Sequence, residues 1–132
     1  MLGELIYEAH GKVGAARVLD EHGKIEVSQQ ESGKLLGMEV TSWVTFLAVP
    51  RPDGTIWGDG QGSSTTRDGE FVTWKGHGIG RLTGKGNAAS WRGALYFQNA
   101  SPKLARLLKT PVVYEFESDE NGNTHMKTWE WK

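Results

Sequence analysis

Along most of the chain, short runs rich in Val, Ile, Thr, Trp and Phe alternate with turn signals: Glu21-His22-Gly23, Pro52-Asp53-Gly54, Arg67-Asp68-Gly69, Lys85-Gly86-Asn87 and Asn121-Gly122. Successive antiparallel hairpins have this pattern. The runs predict strands near residues 4–12, 14–20, 24–36, 38–49, 55–66, 71–83, 88–98, 111–119 and 124–131, and therefore a β-meander. The one helix signal is SPKLARLLK, where Ser101 suits an N-cap, Pro102 the first helical position, and Leu104, Leu107 and Leu108 one face. A helix that short can only cap a sheet.

Within this pattern WKGHGIGRLTG stands out, with glycine at 76, 78, 80 and 84 of a strand-like run. A phosphate-binding loop needs glycines at a strand-to-helix turn, and this run has neither the G-x-G-x-x-G nor the G-x-x-x-x-G-K-[ST] spacing. Glycine at alternate positions instead clears one face of a strand, allowing sharp coiling or the approach of an aromatic ring.

Turn chemistry tests that reading, because a one-residue slip would exchange the two faces. A three-residue Arg67-Asp68-Gly69 loop sets Gly62 opposite Trp74, Gly60 opposite Gly76 and Gly58 opposite Gly78. A Lys85-Gly86 loop sets Gly78 opposite Gly93 and Gly80 opposite Trp91, and Pro52-Asp53-Gly54 sets Phe46 opposite Gly60 and Val44 opposite Gly62. The glycines then share one face across several strands. At Asn121-Gly122 a two-residue loop predicts Tyr114 opposite Trp129 and Val112 opposite Trp131, with Glu115, Glu117, Thr128 and Glu130 on the reverse. The aromatic face of that hairpin is expected inside, since the alternative buries carboxylates.

The middle strands separate their faces less cleanly. One carries Val44, Phe46, Val72, Trp74, Trp91 and Leu95 between the glycines. The other mixes Asp59, Lys75, His77, Arg81 and Arg92 with Trp43, Leu47, Trp57, Ile79 and Tyr96. Two mixed faces fit a closed barrel whose lumen accepts polar and apolar groups and whose outside is buried in an oligomer. Which face points inward is open at this level.

Composition narrows the function classes. The 132 residues fit one domain, 1–132, with 15 Lys+Arg against 16 Asp+Glu and no long run of one sign, so no nucleic-acid or anionic-membrane footprint is expected. Without cysteine there are no disulfides, thiolate nucleophiles or thiolate metal sites. The start MLGELIYEAHGK lacks the basic and apolar regions of a secretion signal, and no apolar run reaches the length of about 18 residues that spans a bilayer; a cytoplasmic location is expected. Six tryptophans and eighteen glycines favour an ordered, glycine-punctuated β-fold over a flexible segment.

Candidate chemistry is sparse. The four histidines show no metal-binding spacing, and ESDENGN lacks the order of a calcium loop, so neither metal nor cofactor is expected. His77 shares its face with Asp59, Arg81 and Arg92. Inside a lumen this group offers an acid or base with partners, whereas facing solvent it is a cross-strand charge ladder. Trp74, Trp91, Phe46, Tyr114 and Trp129 are the candidate ligand-binding residues, although aromatic stripes in small β-domains also serve simply as core.

The block GTIWGDGQGSSTTRDGEFVTWKGHGIGRLTGKGNAASWRGALYF resembles the barrel of allene oxide cyclases, dirigent proteins and related microbial proteins. The likeness rests on Gly58-Asp59-Gly60 and on Gly76, Gly78, Gly80, Gly84 and Gly93, in about a third of the chain. It implies an eight-stranded antiparallel barrel that holds small, mostly apolar molecules without a cofactor and assembles as a homo-oligomer. The likeness maps none of the family's catalytic residues onto this sequence one by one, so it implies the barrel, the cavity and the oligomer but not the activity. The expected architecture is therefore all-β, a closed antiparallel meander β-barrel of about eight strands with one short capping helix at about 101–109. The expected role is binding of a small hydrophobic or amphipathic molecule. The alternatives are a cofactor-free isomerase or cyclase acting in the lumen and a structural oligomerisation module.

Overall fold

The hairpins close on one another. In the computed structural model, which describes residues 1–132, eight strands follow in chain order: β1 (Leu2–Val18), β2 (Ile25–Leu35), β3 (Met38–Pro50), β4 (Ile56–Thr66), β5 (Phe71–Leu82), β6 (Ala89–Ala100), β7 (Val112–Ser118) and β8 (Asn123–Trp131). Each pairs antiparallel with the next, and β8 pairs with β1, so the sheet is a closed barrel without a free edge. The runs expected at 4–12 and 14–20 are one strand. Val13 faces Gln29 and Ala15 faces Ser28, so Gly14 is the extra residue of a bulge that bends β1 without ending its ladder.

The registers predicted for the glycine strands hold. Gly62 faces Trp74, Gly60 faces Gly76 and Gly58 faces Gly78 between β4 and β5. Gly78 faces Gly93 and Gly80 faces Trp91 between β5 and β6, and Phe46 faces Gly60 between β3 and β4. The glycine face is the inner one: Trp74, Gly76, Gly78 and Gly80 are buried, while His77, Ile79 and Arg81 are exposed.

The last hairpin differs from expectation by one residue. Ser118 faces Thr124, which gives Val113 opposite Trp129 and Tyr114 opposite Thr128. The turn is the three-residue Glu120-Asn121-Gly122, hydrogen-bonded like Arg67-Asp68-Gly69: Asp119 N–H donates to the Asn123 carbonyl, and Gly122 N–H to the Asp119 carbonyl, as Thr66 and Gly69 do with Glu70 and Thr66. The Asp119 side chain selects it by accepting from the backbone N–H groups of Asn121 (2.8 Å) and Asn123 (2.9 Å). The slip turns over every β8 side chain. Thr124, Met126, Thr128 and Glu130 are buried, and Trp131 is exposed. The carboxylate that moves inside is answered by Arg106, whose guanidinium pairs with Glu130. Glu115 and Glu117 stay outside, because β7 keeps its predicted orientation, and Arg92 pairs with both.

Between β6 and β7 the segment Pro102–Lys109 is a 3-10 helix with Pro102 at its start. Ser101 makes no side-chain cap; its hydroxyl accepts from the Phe71 N–H at 3.0 Å and ties the segment to β5. Leu104 and Leu107 are buried in the hydrophobic core, while Leu108 is exposed rather than sharing their face. The helix thus sits at one end of the barrel, where β6 ends and β7 begins. Burial of two leucines offsets the weak propensity of so short a helix.

Candidate functional site

The inner glycines make room for rings. A Cβ on Gly62 would overlap the Trp74 indole, and one on Gly58 or Gly80 would lie 2.5–2.6 Å from Trp91 ring atoms. On Gly78 it would overlap the Tyr114 hydroxyl. Two tryptophan rings and the hydroxyl end of a tyrosine therefore lie against neighbouring backbone, in space that any side chain would fill. Phe46 meets both Trp91 and Phe116 edge-on, with ring centroids 5.7 and 6.3 Å apart.

What remains open among these rings is a cavity of about 50 Å³, bordered by Phe46, Gly58, Gly60, Trp74, Gly76, Trp91, Tyr114 and Phe116, with Val44, Met126, Asp59 and Gln29 completing it. It occupies the half of the barrel away from the helix. Burial pushes the Tyr114 phenol up to about 12, so it remains a hydroxyl there at neutral pH.

Gln29 joins the cavity to a buried polar chain. Tyr7 Oη donates to Glu31 Oε1 at 2.7 Å, and Gln29 Nε2 donates to Glu31 Oε2 at 3.4 Å. With the single tyrosine proton used, Ser42 Oγ donates to Tyr7 Oη at 2.8 Å, and Ser64 Oγ donates to Ser42 Oγ at 2.7 Å. All five residues are buried, Glu31 to 1% exposure. Burial raises the Glu31 carboxyl above its ordinary range, offset in part by the hydrogen bonds from Tyr7 and Gln29. The Tyr7 hydroxyl is likewise pushed up by burial and then by the neighbouring Glu31. Gln29 Oε1 is buried without a partner.

Of the residues singled out from sequence, Phe46, Trp74, Trp91 and Tyr114 are brought together in this cavity. Trp129 is not. The β8 slip places it on the outer face, opposite Val113 on β7, with Met126 in the lumen instead. His77, Arg81 and Arg92 are exposed on the outer surface. Asp59 borders the cavity, but its carboxylate pairs with Lys75 Nζ at 2.9 Å and His77 Nε2 at 3.4 Å, groups on the outer face. The hydrogen bond from Lys75 holds that carboxyl below its usual range. His77 also stacks on Trp57, centroids 5.5 Å apart. The His77 group is thus the cross-strand ladder rather than a luminal acid or base.

Sequence reasoning missed Tyr7, Gln29, Glu31, Ser42 and Ser64. The signal for part of this set was the Leu36-Gly37 turn. Pairing Leu35 with Met38 sets Gln29 opposite Val44 and Glu31 opposite Ser42, on the glycine face.

The sequence matches no protein-family model and no curated protein. The fold has clear counterparts among solved structures. A protein of unknown function from Clostridium acetobutylicum superposes with a TM-score of 0.84 at 14% identity, covering 98% of this chain and 99% of its own. A conserved protein of unknown function from Rhodopseudomonas palustris gives 0.80 at 14%, covering 98% and 97%. At these identities the likeness is one of fold: all are barrels of the same architecture.

Proposed function

We propose that this protein binds a small hydrophobic or amphipathic molecule in the barrel lumen. The observation that carries the reading is the cavity among Phe46, Trp74, Trp91 and Tyr114, with the Gln29 amide as a polar group at its edge. Barrel interiors favour such sites, apolar with a few placed polar groups. At about 50 Å³ the cavity is smaller than the roughly 150 Å³ that holds a benzene ring, so occupancy by more than a few atoms requires Phe46, only half-buried, to swing outward. The resemblance of the glycine strands to allene oxide cyclase-like barrels points the same way.

Native mass spectrometry and thermal-shift screening against fatty acids, terpenoids and small aromatics test this. One bound molecule per chain with a changed tryptophan emission is expected, and Phe46→Ala should admit larger members of a series. Absence of binding across all three classes, in both proteins, rejects the proposal. In a cofactor-free isomerase or cyclase acting in the lumen, the acid would have to be Tyr114, whose side chain borders the cavity, rather than His77 on the outer face. Homo-oligomerisation is supported by the outer row Val49, Trp57 and Ile79, directly opposed across three strands with Trp57 37% and Ile79 46% exposed. Light scattering showing a strict monomer at high concentration rejects that part.

A further inference from the structure

We propose that the lumen selects uncharged molecules, held by one hydroxyl or amide group against the Gln29 side chain, and rejects anions. This deepens the ligand-binding reading and rests on it.

Three observations converge on it. First, the cavity holds no cation: none of its bordering residues is Lys, Arg or His, and the strands turn Lys12, Lys34, Lys75, His77, Arg92 and Lys127 to the outer face. A carboxylate placed there leaves water without gaining a counter-charge, which is unfavourable in an apolar interior. Second, the buried acid behind the cavity has no cation either. Arg106 answers Glu130, whereas Glu31 is met only by the neutral Tyr7 and Gln29. An anion in the cavity would therefore gain no counter-charge from Glu31, which lies behind Gln29 as either a neutral carboxyl or a second negative charge.

Third, Gln29 is the one polar side chain shared by the cavity and the buried chain. It is 4% exposed, its Nε2 is used on Glu31, and its Oε1 has no partner. A buried amide oxygen left unpaired is a standing cost that a ligand donor removes. With the amide turned over, its free group becomes an NH₂ donor. A hydroxyl, being donor and acceptor at once, satisfies either orientation. Cationic ligands gain less, because Glu31 does not border the cavity and Gln29 stands between them, and the bordering Asp59 is already paired with Lys75 and His77 on the outer face.

The test is a matched series on one ring: toluene, benzyl alcohol, benzylamine and benzoate. Binding is followed by tryptophan fluorescence and by the Gln29 side-chain amide resonance, in the wild type and in Phe46→Ala, which enlarges the cavity. Benzyl alcohol should bind tighter than toluene by roughly fivefold to tenfold, the worth of about one hydrogen bond, and should shift the Gln29 resonance. Benzoate should bind weakest. Gln29→Leu should abolish the alcohol's advantage while retaining toluene, whose binding shows that fold and cavity survive. The proposal is overturned if benzoate or benzylamine binds tighter than the alcohol, or if, in whichever of the two proteins binds toluene, the alcohol's advantage is missing or persists once Gln29→Leu is introduced. If none of the four binds either protein, the lumen is not a binding site for such molecules and the underlying reading fails with it.

Discussion

Individual glycines carry this barrel by what they lack. Gly78 is the clearest case, since a side chain there meets the Tyr114 hydroxyl and lies 3.0 Å from the Arg92 carbonyl. Gly78→Val should therefore cost more than about 2 kcal/mol in urea unfolding, by overpacking. A change within about 0.5 kcal/mol, the usual surface figure, would contradict the inward face. Glu31 gives a residue-scale prediction of a different kind. Its raised folded-state pKa means the folded chain binds that proton more tightly than the unfolded chain. The stabilisation is present below about pH 4.3, the unfolded value, and is lost as pH rises through the folded value. Glu31→Gln removes this dependence. Its stability relative to wild type should climb from pH 4 upward, and a gap that stays constant to pH 9 would mean Glu31 titrates normally.

Turns decided how much of each element could be read in advance. Arg67-Asp68-Gly69, Lys85-Gly86 and Pro52-Asp53-Gly54 gave correct pairings because short turns couple local residue choice to register. Asn121-Gly122 misled for a reason that is also local: Asp119 accepts two backbone N–H groups and lengthens the loop by one residue, which turns β8 over. The polar chain was illegible for another reason. Tyr7 and Glu31 sit on strands distant from the glycine motif, and an inward glutamate has no sequence mark until its neighbours are known. The β8 orientation is testable by paired substitutions. Met126→Lys, which buries a charge in the lumen, should cost more than about 3 kcal/mol or prevent folding. Trp129→Lys on the outer face should leave a cooperative melt and lose about 1 kcal/mol of packing. Reversed severities in thermal melts would restore the two-residue turn.

For the whole molecule, closure of a meander means that every pairing but one joins strands adjacent in sequence. The exception is β1 with β8, where Leu5 faces Trp129 and His10 faces His125. Neighbouring hairpins can form early and locally, whereas this seam must wait for the largest loop in the chain to close. Seam contacts should therefore be weak in the folding transition state. Substitutions such as Leu5→Ala should speed unfolding and leave the refolding rate nearly unchanged, giving a φ-value near zero in stopped-flow chevrons. A value near one would place closure first. A chain emerging from a ribosome meets the same order of events, holding a curled sheet with two sticky edges until its last strand arrives, so the interval before β8 is available is when this fold is most exposed to misassembly.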